Sequence, residues 1–212
     1  MGIPVLILGE SGSGKSASLR NFDAAEVGIF NVASKPLPFR KNLNKVDGAT
    51  YSTLNKVLAN PKLKAYVIDD SQYLMCFEMF DKCKETGYGK FTDCAKHFYD
   101  LIQSIIKNTP EDCIVYFLHH TETTESGKVK AKTQGKMLDN QLTLEGLFAI
   151  VLMCTTDGKE HKFITQSDGF TTAKSPMDML PLEMDNDLKV VDAAIREYYD
   201  FNNKGEENNE TH

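Results

Sequence analysis

Eight consecutive residues near the start of the chain, Gly9-Glu10-Ser11-Gly12-Ser13-Gly14-Lys15-Ser16, followed by Ala17, fit the pattern G-x-x-x-x-G-K-[ST] in full. Phosphate oxygens need several backbone N–H donors at close range, and glycines let the main chain curl around them without side-chain obstruction. A helix opening at Lys15 adds the partial positive charge of its N-terminus. Lys15 is placed to reach the β- and γ-phosphates of a nucleoside triphosphate, and the Ser16 hydroxyl to ligate Mg²⁺.

A magnesium ion held by Ser16 and phosphates calls for a second protein oxygen. The apolar run Ala65-Tyr66-Val67-Ile68 ends in Asp69, which matches the Walker B pattern and makes Asp69 the metal-side acid if its strand lies near the phosphate loop. Asp70 follows at once, either to polarise an attacking water or to cap the next helix. A further apolar run, Ile114 to Leu118, ends in His119-His120. Alternation along a strand sends these two rings to opposite faces, so either at most one of them contacts a terminal phosphate or the two are a surface pair.

These residues need a frame. Ile3–Leu8, Val27–Val32, Ala65–Ile68 and Ile114–Leu118 read as buried strands. Helices are expected from Lys15 to Phe22, from Ser52 to Leu58, from Ser71 to about Lys84, and from a cap at Thr92 or Asp93 to a stop before Pro110. Residues 121–137 read as a polar loop and Asn140–Leu147 as a helix. Leu147–Cys154 and Lys162–Gln166 read as a hairpin turning at Asp157-Gly158. A last amphipathic helix is expected from about Asp187 to Phe201. Strands alternating with helices imply an α/β fold with a mostly parallel sheet, finished by a C-terminal antiparallel hairpin.

With 212 residues, 41% hydrophobic and 25% charged, the chain has the balance of an ordinary globular protein, which excludes wholesale disorder. Its longest apolar run, Leu147–Cys154, is far short of the roughly 20 residues of a membrane helix. Neither a signal-peptide nor a myristoylation pattern is present at the N-terminus, so a cytoplasmic location without membrane contact is expected. The five cysteines (Cys76, Cys83, Cys94, Cys113, Cys154) include no CxxC pair and support neither a disulfide framework nor a zinc site. The net charge of −6 is uneven: residues 177–212 hold ten acids and three bases, leaving 21 basic and 20 acidic residues elsewhere. Within that neutral body, residues 35–64 carry seven bases with Asp47 the one acid, and Lys128, Lys130, Lys132 and Lys136 cluster in the loop 121–136.

Among nucleotide enzymes, a GTPase would carry N-K-x-D. Asn44-Lys45-Val46-Asp47 matches literally, but it precedes the Walker B strand and reads as coincidence. A small-molecule kinase would stabilise the transferred phosphate with several arginines, and the chain has only Arg20, Arg40 and Arg196. A AAA-type remodeller would carry Asp-Glu at Walker B, where this chain has Asp-Asp. The phosphate loop after the first strand, Tyr66-Val67-Ile68-Asp69-Asp70, Ile114-Val115-Tyr116-Phe117-Leu118-His119-His120, the lysine-bearing loop and the closing hairpin together resemble the RecA-core-only ATPases of phages, including the fourth group of Sak single-strand annealing proteins. The resemblance covers about residues 1–175, and its specific part is the two Walker motifs.

That resemblance implies a RecA-like P-loop ATPase domain over residues 1–201, with a disordered acidic tail over 202–212. It implies ATP and Mg²⁺ as ligands, self-assembly into a homo-oligomer with ATP at subunit interfaces, and pairing or annealing of single-stranded DNA. In RecA-like proteins the loop after the fourth strand enters DNA, which assigns that role here to Lys128, Lys130, Lys132 and Lys136; lysines neutralise phosphates without reading sequence. That loop has no aromatic residue for base stacking; Tyr88 and Phe91, flanking Lys90, read first as core or loop residues and only second as a stacking platform. One departure matters: the family's catalytic glutamate after the second strand has no counterpart in Ile29-Phe30-Asn31-Val32-Ala33-Ser34-Lys35. Asp70 or Glu10 is left as the water-activating group, and Lys162 or Lys174 as a trans-acting lysine. The acidic end from Asp178 resembles the tails of RecA and single-strand binding proteins, which modulate DNA access and recruit partners such as a single-strand binding protein or a helicase; a merely solubilising tail is the equal alternative. A nucleotide-dependent switch, or a helicase loader that binds another replication protein, is the alternative reading.

Overall fold

The computed structural model describes residues 1–134 and 137–201. Its centre is a mixed, mostly parallel sheet. The strands are β1 (Ile3–Gly9), β2 (Val27–Asn31), β3 (Asn44–Asp47), β4 (Ala65–Asp69), β5 (Ile114–Thr123), β6 (Val129–Ala131), β7 (Ile150–Thr156), β8 (His161–Ile164) and β9 (Glu183–Asp185). They are ordered β3-β2-β4-β5-β1-β7-β8-β9, with β6 attached to the far end of β5. From β3 to β7 all neighbours are parallel, and β8 and β9 complete the sheet antiparallel. The fold is therefore α/β with helices on both faces, and the expected closing hairpin is β7–β8.

Both faces of the sheet are apolar because both are covered. On one face Leu6, Leu8, Ile68, Val115, Phe117, Val151 and Met153 meet α1 (Tyr51–Leu58), α2 (Gln72–Asp81) and α3 (Gly89–Asn108). The stripe Cys94, Phe98, Leu101, Ile102 and Ile105 of α3 is buried there, and Phe98 meets Phe117 edge-on at 5.9 Å. On the other face Val5, Ile7, Ile29, Val67, Tyr116, Leu118 and Leu152 meet Leu19 and Phe22 of a short 3₁₀ helix (Ser16–Asn21) and Leu188, Val191 and Ile195 of α4 (Leu188–Tyr198). Cys94, Cys113 and Cys154 are buried in these layers.

Several sequence expectations need correction. The helix expected after Lys15 is a 3₁₀ segment, held against α4 where Arg20 donates to the Asn186 carbonyl and Asn21 Nδ2 donates to Asp187 Oδ2 at 2.6 Å. Strand β5 does not stop at His119-His120 but runs on to Thr123, because Thr121, Glu122 and Thr123 pair with β6. The first part of the polar loop 121–137 is thus a β-hairpin. Helix α3 begins at Gly89, ahead of the expected cap at Thr92 or Asp93, after a turn in which the Phe91 amide donates to the Tyr88 carbonyl at 3.1 Å. Instead of one helix over 140–147, a π-helical turn (Met137–Leu142) is followed by a 3₁₀ turn (Leu144–Leu147). Asn44-Lys45-Val46-Asp47 is the edge strand β3. The tail expected to be disordered, 202–212, lies outside the described residues.

Candidate functional site

Register brings the chemistry to one edge. Gly9 pairs with His120 and Asn31 with Asp69, so the C-terminal ends of β1, β2 and β4 and the His119-His120 segment of β5 lie side by side. Ligand sites of open α/β sheets form in the crevice outside these strand ends. Here a cleft of about 320 Å³ is lined by Ser11, Gly12, Gly14, Lys15, Ser16 and Ala17 of the loop with His161 beside them, and by Lys35, Asp69, Asp70 and His120 from the segments at and after the other strand ends.

The glycine-rich loop follows β1 directly. Gly12 (φ 81°) and Gly14 (φ 101°) take the left-handed backbone that side chains disfavour. Gly14 also has a neighbour: a Cβ there would come within 2.7 Å of the His161 ring. The β7–β8 hairpin supports the loop from behind, with Cys154 Sγ donating to the Ser13 carbonyl at 2.9 Å and His161 Nδ1 2.8 Å from the same oxygen. Burial pushes the Cys154 thiol up to about 11, so it stays protonated and able to donate. Ser13 Oγ is buried without a hydrogen-bond partner among the described residues.

Lys15 Nζ donates to the Gly9 and Glu10 carbonyls at 2.7 and 2.8 Å, inside the curve of its own loop. Burial lowers its ammonium below the ordinary lysine value. Ser16 Oγ donates to Asp69 Oδ1 at 2.8 Å. Strands β1 and β4 are not neighbours, since β5 lies between them, yet the two side chains close the gap. Burial raises the Asp69 carboxyl above its usual range, against the hydrogen bond from Ser16, and the nearby Asp70 charge adds to the rise. A hydroxyl and a carboxylate converging at this distance are the hard oxygen donors that Mg²⁺ takes alongside phosphates.

Asp70 adopts a left-handed backbone (φ 59°) and turns its carboxylate into the cleft. Its Oδ2 pairs with Lys35 Nζ at 2.8 Å and its Oδ1 lies 3.1 Å from His120 Nε2. Burial alone would raise this carboxyl; the His120 hydrogen bond and the Lys35 ammonium outweigh it and hold Asp70 below the ordinary value. The His120 ring stands edge-on against Tyr73 at 5.6 Å.

His119 is elsewhere. It is fully buried, packs against Phe98, and has Nε2 donating to the Lys132 carbonyl at 2.8 Å with Ser71 Oγ 2.9 Å from Nδ1. It does not line the cleft, as the alternation of β5 requires. Glu10 is exposed on the rim of the loop. Arg20 is committed to Asn186, away from the cleft.

The basic residues expected to meet DNA divide. Lys128 and Lys132 are exposed, at the tip and the end of the β5–β6 hairpin, whereas Lys130 pairs with Glu122 at 3.1 Å. Lys136 lies outside the described residues. The Lys132 amide donates to the His120 carbonyl at 2.9 Å, so this hairpin is bonded directly to the strand that carries the cleft histidine. Tyr88 and Phe91 are exposed at the start of α3. Lys162 is paired with Glu183 at 2.7 Å, and Lys174 bridges Val151 through the backbone. Lys35 and His161, which no motif predicts, are cleft residues that sequence reasoning missed; the signal of Lys35 is a cation four residues beyond the second strand. No helix among the described residues is long and apolar enough to cross a membrane. No protein-family model matches the sequence, and no curated protein matches it.

Proposed function

We propose that this chain is a Mg²⁺-dependent P-loop ATPase with a RecA-like core that acts on single-stranded DNA as a self-assembling recombination protein. The observation that carries the nucleotide part is the Ser16–Asp69 contact of 2.8 Å beside a complete phosphate loop and its lysine. On this reading Ser16 and Asp69 hold the magnesium ion, which when bound offsets charge on the phosphates. The loop amides and Lys15 orient the phosphate chain, Lys15 leaving the Gly9 and Glu10 carbonyls to do so. Asp70 and His120 face the terminal phosphate, and His119 braces the strand behind them.

The DNA part rests on the exposed Lys128 and Lys132 and on the bond between the Lys132 amide and the His120 carbonyl, a short route from cleft to hairpin. A second reading, a switch that binds nucleotide and a replication partner without fast turnover, is favoured by one observation: both oxygens of Asp70 are engaged, by Lys35 and His120. ATP turnover with Mg²⁺, measured with and without single-stranded DNA and with Lys15→Ala as the blank, separates the two. Turnover stimulated by DNA and lost in Lys15→Ala is expected. ATP binding with turnover no higher than the blank would select the switch.

A further inference from the structure

The cleft is lined by a second lysine besides Lys15, and its placement is built rather than incidental. Lys35 ends a tight turn after β2 that is closed by Asn31, a fully buried side chain. Asn31 Nδ2 donates to the Lys35 carbonyl at 2.7 Å, and the Lys35 amide donates to Asn31 Oδ1 at 3.2 Å. Ser34 takes a left-handed backbone (φ 56°) within this turn, and Pro36 and Pro38 continue the cleft wall beyond it. The ammonium is thereby carried over the Tyr73 ring, 5.0 Å from its centroid, to Asp70 Oδ2 at 2.8 Å.

The two ends of this ion pair differ. The Asp70 side chain is 10% exposed and has a second partner in His120, whereas the Lys35 side chain is 55% exposed on a flexible stem. A half-exposed pair of this kind holds its lysine weakly. A phosphate group bearing more than one charge and several acceptor oxygens is a stronger partner for an ammonium than one carboxylate that is already shared.

We propose that Lys35 is the residue by which this cleft tells a nucleoside triphosphate from a diphosphate. In this structure it is paired with Asp70; on binding of a triphosphate its ammonium passes to the terminal phosphate, and Asp70 keeps His120 as its partner. Lys15 grips the phosphate chain from the loop side, and Lys35 grips only its far end. The change at Asp70 is felt by His120, whose backbone carbonyl accepts from Lys132 at the base of the lysine hairpin. This assignment rests on the nucleotide reading above.

Equilibrium binding of a fluorescent, non-hydrolysable ATP analogue and of fluorescent ADP, both with Mg²⁺, tests it on the full chain. Lys35→Ala is expected to weaken the triphosphate analogue about 10-fold or more while changing ADP less than about 2-fold, the scale of one lost charge-assisted hydrogen bond. Lys35→Arg is expected to restore most of the difference. Equal weakening of both nucleotides, or an unchanged triphosphate affinity, would overturn the assignment. If the wild-type chain bound neither nucleotide, the nucleotide reading itself would fall and Lys35 with it. If the wild type bound both and Lys15→Ala neither, that reading would hold whatever Lys35→Ala did.

Discussion

His119 and His120 leave β5 on opposite sides of the sheet, and their surroundings give them different work. His120 is a polar side chain in a cleft. His119 is sealed behind Phe98, and burial pushes it down to about 4 from an ordinary 6.5. At neutral pH it is uncharged, with its Nε2–H given to Lys132 and its Nδ1 accepting from Ser71. Between those two values the unfolded chain binds the extra proton and the folded chain does not. This contribution to stability is therefore complete above about pH 6.5 and is lost as the pH falls toward 4, by about 3 kcal/mol at most. Denaturant midpoints measured across that window should show the slope, and His119→Gln, which cannot titrate, should flatten it. At this scale much was legible: a motif as constrained as the phosphate loop announces its own residues, and period-two alternation limits the cleft to one of the histidines. Lys35 was not legible, because the Asn31 turn and Asp70 that give it meaning are distant or unremarkable in sequence.

Elements were readable where they are long and apolar, and unreadable where they sit on an edge. Strands β3, β6 and β9 are only 4, 3 and 3 residues long and bury little, so no alternation marks them. Hydrogen bonding supplied by a neighbour makes them strands. The same cause extends β5 past its histidines, since Glu122 and Lys130 face each other across the hairpin and share an ion pair. That pairing divides the lysines by expected effect. Charge reversal at Lys128 or Lys132 should weaken single-stranded DNA binding several-fold and reduce its salt dependence by about one unit of slope each. Lys130→Glu should disturb the hairpin as much as the binding, because it sets two carboxylates opposite each other. Fluorescence anisotropy against salt, with thermal unfolding alongside, distinguishes a lost phosphate contact from a lost strand pair. An unchanged slope in Lys128→Glu and Lys132→Glu would remove this hairpin from the DNA surface.

Taken whole, the molecule is a sheet clasped by its last described helix. Arg196 on α4 donates to Asp192 Oδ2 at 2.6 Å and to the Asp112 and Lys64 carbonyls at 2.9 Å, while the fully buried Tyr116 hydroxyl donates to Asp192 Oδ1 at 2.8 Å. One carboxylate thus joins α4 to β5, and through Arg196 to the start of β4. Asp192→Ala leaves the buried Tyr116 hydroxyl without its acceptor and takes the carboxylate from Arg196, which keeps its two carbonyl partners, and should cost about 2 kcal/mol in chemical denaturation. Asp192→Asn, which keeps an acceptor, should cost less. The α/β class and the closing hairpin were legible from apolar runs, but this clasp was not, because it depends on residues some 80 positions apart meeting across a layer. Strand order has a further consequence, for the chain as it is made. Strand β1, which carries the phosphate loop, is synthesised before both of its neighbours in the sheet, β5 and β7. Until residues beyond 150 have left the ribosome, one side of that strand is open and the loop lacks Cys154 and His161 behind it. A segment made well before both of its neighbours is among the last to mature, and a nascent chain stopped short of the β7–β8 hairpin carries the whole motif without the backing that shapes it.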